Sequence, residues 1–235
     1  MCRKLNDHRV FWREFRRNFD TTGSIMPSGR RLATALTRYL DPRIPQRILE
    51  VGPGTGAVTE QIVRRLGDHD ELVLVETNES FVKQLEERFS TDPAFQKVAN
   101  RCKIVHQRIE QLPASDRYDV VVSGLPLNNF EPSLVREILD ALRLHLADHG
   151  TLSFFQYLAL RPARALISGR LQRQRLRGIG DVLRNALAEG EVAREVVWSN
   201  FPPATVHHLQ FKAPRPTSPP QPVRTPPVDE PASSR

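Results

Sequence analysis

The sequence predicts an α/β fold in which parallel strands are joined by crossover helices, and three observations predict it. Short β-rich runs alternate with segments of helical period along the middle of the chain. The first run opens into a glycine-rich turn, with an acidic residue about 20 positions beyond it. Two further β-rich runs, Glu191 to Trp198 and Thr205 to Lys212, close the pattern around Asn200-Phe201-Pro202-Pro203.

Taken in order, the strands fall at Arg47 to Val51, Glu71 to Glu76, Cys102 to His106, Asp119 to Ser123 and Leu152 to Tyr157. Helices are expected at Val58 to Leu66, Asn78 to Phe89 and Ser133 to Leu146, the last closed by Gly150 in a left-handed capping conformation. The 235 residues suit one domain with appendages. The division expected is an N-terminal segment 1–45, a core 46–212 with a basic insertion near 161–190, and a tail 213–235. That tail carries eight prolines and few large apolar groups, a composition that cannot repay its ordering entropy.

No run approaches the roughly 20 apolar residues of a membrane span, and the first residues lack the apolar core of a signal peptide, so a cytoplasmic location is expected. The two cysteines, Cys2 and Cys102, show neither metal-ligand nor redox spacing, so neither disulfide nor metal is expected. The net charge of +7 comes mostly from arginine and favours polyanionic partners, an anionic membrane or a nucleic acid.

The first strand runs into Glu50-Val51-Gly52-Pro53-Gly54-Thr55-Gly56, where missing side chains let a ligand approach the backbone above the carboxyl ends of the strands. Dinucleotide-binding proteins space these glycines G-x-G-x-x-G. The G-x-G-x-G spacing here instead resembles that of the class I S-adenosylmethionine-dependent methyltransferases, a Rossmann-like fold whose seven-stranded, mostly parallel sheet ends in an antiparallel hairpin. On that resemblance the cofactor is S-adenosyl-L-methionine, held by Glu50, Gly52, Gly54, Thr55 and Gly56. Glu76, at the end of the second strand, is placed to accept hydrogen bonds from the ribose hydroxyls.

Strand four ends in Ser123-Gly124-Leu125-Pro126-Leu127-Asn128-Asn129-Phe130, the loop that in this family lies beside the transferable methyl group. Base N-methyltransferases carry here an Asn or Asp, a Pro and an aromatic, and the ribosomal RNA adenine dimethyltransferases read Asn-Leu-Pro-Tyr. Gly124 and Leu127 replace that amide and that aromatic. A flat base would lose a stacking partner worth about 1–3 kcal/mol, so nucleic acid is disfavoured as the acceptor.

Ser123 to Leu127, together with Thr22-Gly23-Ser24-Ile25-Met26-Pro27-Ser28-Gly29-Arg30 and Asn200 to Ala204, resembles the bacterial lipid N-methyltransferases acting on phosphatidylethanolamine or ornithine lipids. The resemblance spans residues 9–212. It implies methylation, in one or several rounds, of the primary amine headgroup of a membrane lipid, with Leu125, Pro126 and Tyr157 at the acceptor and Ser123 at the cofactor. Tyr157 also reads as ordinary core. After strand three that family carries Gly-Asp-Ala where this chain reads Gln107-Arg108-Ile109. Ile109 is left to pack on the adenine face, and the adenine amine has no assigned partner.

Leu5, His8, Phe11, Trp12, Phe15 and Phe19 share one helical arc, flanked by Arg9, Arg13, Arg16 and Arg17. A helix packed over the domain fits this pattern, and so does one lying in a bilayer surface. The lipid-enzyme resemblance favours the second, with Phe11, Trp12, Phe15 and Arg16 in contact with lipid. A second basic cluster, Arg161, Arg164, Arg170, Arg173, Arg175 and Arg177, follows the strand that carries Tyr157. It reads either as a solvated face or as a grip on lipid phosphate through Arg164, Arg170 and Arg173. The partners expected are therefore an amino lipid and an anionic membrane surface, with peripheral attachment and no protein partner.

Overall fold

A computed structural model describes residues 27–158, 170–200 and 202–211. Seven strands form one sheet in the order β3-β2-β1-β4-β5-β7-β6. They are β1 (Arg47–Val51), β2 (Glu71–Glu76), β3 (Cys102–His106), β4 (Tyr118–Ser123), β5 (Leu146–Tyr157), β6 (Glu191–Val197) and β7 (Ala204–Leu209). The first five run parallel, and β7 inserts antiparallel between β5 and β6. The fold class read from the sequence is thus the fold observed.

The central strands are apolar on both faces because helices cover both. On one side α1 (Pro27–Leu36), α2 (Ala57–Val63) and α4 (Pro93–Gln96) close over Ile48, Leu72, Leu74, Val120, Val122 and Phe155. On the other side α5 (Pro132–Leu144) and α6 (Arg170–Gly190) close over Leu49, Val121, Leu152 and Phe154. Helix α3 (Glu79–Thr91) packs along β2 and β3, and its N-cap Asn78 accepts a hydrogen bond from the Ser80 N–H at 2.9 Å. Helix α5 opens on Pro132, whose fixed φ and missing N–H suit a first turn.

Three expectations need correction. No helix was expected at residues 27–36, yet Pro27 begins α1, which packs on α2 and on β5, β6 and β7. The basic insertion contains α6, whose Leu176, Ile179, Val182 and Leu183 are buried at helical spacing. Gly150 does not cap α5 in a left-handed conformation. The residue with positive φ is His149 (65°), and Gly150 lies within β5. Its reason is close approach, since a Cβ there would stand 2.9 Å from the Tyr118 carbonyl oxygen and 3.0 Å from that of Ala147. The aromatic basic segment, Arg164 and the proline-rich tail lie outside the described residues.

Candidate active site

The strand order reverses between β1 and β4, so the loops leaving their carboxyl ends diverge and open the crevice where doubly wound sheets bind ligands. Both loops there are built on glycine. Gly52, Gly54 and Gly56 have φ of 72°, 56° and 83°, a region other residues enter only with strain. Gly54 leaves open space where a side chain would begin, whereas a Cβ on Gly52 would meet Leu125 Cδ2 at 2.5 Å. A Cβ on Gly124 would meet the Gly52 carbonyl oxygen at 2.5 Å, and the Gly124 N–H donates to the Val51 carbonyl at 2.9 Å. The two loops therefore touch main chain to main chain.

Charged side chains fix the turn. Glu76 is buried, and its Oε2 accepts the Gly54 N–H at 3.1 Å while Oε1 accepts those of Thr77 and Asn78 at 2.8 and 2.9 Å. Burial raises its pKa and these three donors oppose the rise. From α3, Arg88 donates to the carbonyls of Gly56 (3.0 Å) and Thr55 (3.3 Å) and pairs with Glu60 at 3.1 Å, a brace the sequence did not announce. Thr55 itself is exposed.

Glu50 is fully buried at the root of the turn, and neither carboxylate oxygen has a hydrogen-bond partner. Burial pushes its pKa up to about 8. Thr59 stands close enough to oppose that rise, without a bond of standard geometry to the carboxylate, and the charge of Glu76 adds to it. A buried, unpaired carboxyl is costly unless a ligand answers it. These residues fit a cofactor with a cationic amino acid end beside Glu50 and a ribose at Glu76, whose oxygens retain lone pairs beyond those used within the turn. Ile109 lies in the same apolar cluster as Val75 and Leu125, so it is grouped with the β2 end and the acceptor loop.

On the acceptor side, Ser123 is buried and its Oγ lies 3.4 Å from the Leu125 N–H. Leu125, Pro126 and Leu127 are all buried, and the chain then closes a single 3-10 turn over Leu127–Asn129. Arg175 of α6 reaches across to this loop, donating to the carbonyls of Asn129 (2.6 Å) and Phe130 (3.2 Å) and pairing with Glu131 at 2.9 Å. The basic cluster is therefore divided in role, with Arg175 tied to the loop and Arg173 and Arg177 exposed on α6. Arg170 opens that helix.

Tyr157 packs edge-on against Phe155 at 5.1 Å, in the cluster on the α1 and α2 side of the sheet, whereas Leu125 and Leu127 belong to the cluster on the other side. The structure thus gathers the turn, Glu76, Ser123 and the 125–127 loop, and directs Tyr157 to the opposite layer. Among the described residues no cluster of side chains is arranged to hold a metal ion.

A family model for a methyltransferase domain matches residues 48–150. The match covers a little under half of the chain, and with the fold it marks this span as an S-adenosylmethionine-dependent methyltransferase domain. Among characterised relatives, the ornithine lipid N-methyltransferase of Singulisphaera acidiphila is 27% identical over 147 residues, covering 63% of this chain and 76% of its own. The malonyl-[acyl-carrier protein] O-methyltransferase of Bacillus cytotoxicus is 33% identical over 128 residues, covering 53% and 40% respectively. Among solved structures, the N-methyltransferase NodS from Bradyrhizobium japonicum WM9 superimposes with a TM-score of 0.56 at 19% identity, over 80% of this chain and 98% of that one.

Proposed function

We propose that this methyltransferase transfers methyl groups from S-adenosylmethionine to the primary amine headgroup of a membrane lipid, an ornithine lipid or phosphatidylethanolamine. The observation that carries the proposal is the acceptor loop. Gly124 has no room for the amide that base methyltransferases use, and Leu127, buried to 1% exposure, stands where they present a stacking aromatic. An apolar wall of Leu125, Pro126 and Leu127 suits an aliphatic amine better than a planar base. The ornithine lipid relative supports the same acceptor.

The cofactor, when bound, supplies an electrophilic methyl on a sulfonium. Glu50 and the positive-φ glycines would hold its ends, and the buried residues 125–127 would keep water from the acceptor side of the crevice. The acceptor must arrive as a neutral amine in line with the breaking bond. An apolar, cation-facing pocket lowers an ammonium pKa and releases the proton before attack. Most of the barrier reduction is assigned to alignment, which can contribute about 7–11 kcal/mol.

Membrane contact is proposed through Phe11, Trp12, Phe15 and Arg16, with Arg164, Arg170 and Arg173 beside the acceptor site, and peripheral attachment at the cytoplasmic face follows from the same reading. Arg173 and Arg177, exposed on α6, support an anionic partner. The test is to incubate the protein with labelled cofactor and liposomes of either lipid, then follow label by chromatography. Label in one lipid identifies the substrate. Cofactor binding without label in either lipid overturns the lipid assignment and makes unmodified ribosomal RNA the next acceptor to try.

A further inference from the structure

Buried polar atoms in folded proteins nearly always have a partner, so an orphan inside a reaction crevice marks where a ligand completes the set. Asn128 is an orphan on the loop that borders this crevice. It is 6% exposed and sits in the 3-10 turn of the loop that abuts the glycine turn, and its Oδ1 is buried with no hydrogen-bond partner. The main chain on either side is by contrast engaged. The Asn129 N–H donates to the Pro126 carbonyl at 2.9 Å, and Arg175 fastens the Asn129 and Phe130 carbonyls, so the loop is held while the amide oxygen between these ties is left unused.

We infer that Asn128 Oδ1 is the acceptor that orients the substrate amine. This rests on the amine-methyltransferase reading and gives it a residue. A neutral primary or secondary amine donates one N–H to the amide oxygen, which fixes the direction of its lone pair. The nitrogen then forms the new N–C bond as the C–S bond breaks, the bonding pair remaining on sulfur, and the surplus N–H proton leaves to solvent. An amide suits this role better than a carboxylate, because it accepts the bond without holding the amine as an ammonium.

The geometry carries a consequence for successive transfers. The first and second methylations each act on a nitrogen that bears an N–H, whereas a neutral dimethylated amine has none to give. Asn128 therefore serves the first two transfers and not a third.

The test uses the full chain as wild type, Asn128→Leu and Asn128→Asp, with vesicles containing either the primary amine lipid or its N,N-dimethyl form. Asn128→Leu is expected to lower kcat/KM on the primary amine by about 10- to 100-fold. It should leave turnover of the dimethylated lipid and cofactor affinity within about twofold, while Asn128→Asp retains part of the first activity. Equal losses on both lipids, or no loss on the primary amine, overturn the assignment. Thermal stability decides the matter independently of the acceptor. Removing an orphan kept for a ligand should hold or raise Tm, and a drop of several degrees in Asn128→Leu would show a structural role. Failure of the wild type on every lipid would sink the lipid reading while leaving that thermal comparison to judge Asn128.

Discussion

Glu50 is the residue whose environment departs furthest from that of a free side chain. Its carboxyl titrates near 4.5 in the unfolded chain and near 8 in the fold. Between those values the unfolded chain loses the proton while the fold keeps it, so the native state weakens as pH rises through this window, by up to about 1.4 kcal/mol per unit. The penalty is absent below 4.5 and complete above 8. Glu50→Gln removes the titration. Its Tm relative to wild type should therefore climb by at least about 5 °C between pH 5 and pH 8.5, and its cofactor affinity should fall. A Tm difference that ignores pH would show that the buried carboxyl is not the group at work. That an acidic residue stands at this position is plain in the sequence. That both its oxygens are unpaired is not, because it depends on packing from β2 and α2.

At the scale of elements, the tie between α6 and the acceptor loop is the contact most open to test. Arg175→Ala removes donors to two carbonyls and an ion pair with Glu131. Cofactor affinity should hold while kcat/KM for the amine falls by about tenfold, and Arg175→Lys should recover part of it, since a single ammonium cannot span both carbonyls. A parallel loss of cofactor affinity would mean that the whole crevice depends on this tie. The parallel strands were legible because the central ones, β1, β2 and β4, are short apolar runs covered on both faces. The buried face of helix α6 was missed because its five arginines masked the 176, 179, 182, 183 apolar spacing, and α1 because Pro27, Ser28 and Gly29 resemble a turn. Gly150 misled for a different reason: a glycine needed for close approach looks the same in sequence as one needed for positive φ. Nor could sequence divide Arg175 from its neighbours, since only the fold sets one against the loop and leaves Arg173 and Arg177 to solvent.

For the whole molecule, the balance of charge gives the remaining prediction. With a net charge of +7 and an isoelectric point near 10, the chain should bind anionic vesicles far better than neutral ones, and the difference should collapse between roughly 0.05 and 0.5 M salt. Arg173→Glu with Arg177→Glu should lower the low-salt binding. Binding that is indifferent to vesicle charge, to salt and to these reversals would remove the basic surface from the membrane reading. Among the described residues no helix is long and apolar enough to cross a membrane. The apposition of Gly52 and Gly124 bears on how such a molecule can be altered. Because neither position has room for a side chain, the seam between donor and acceptor halves is fixed hardware. On the proposed reading, choice of acceptor falls to the side chains from Leu125 to Phe130, so a designer seeking a new substrate would rewrite those six and leave the seam untouched.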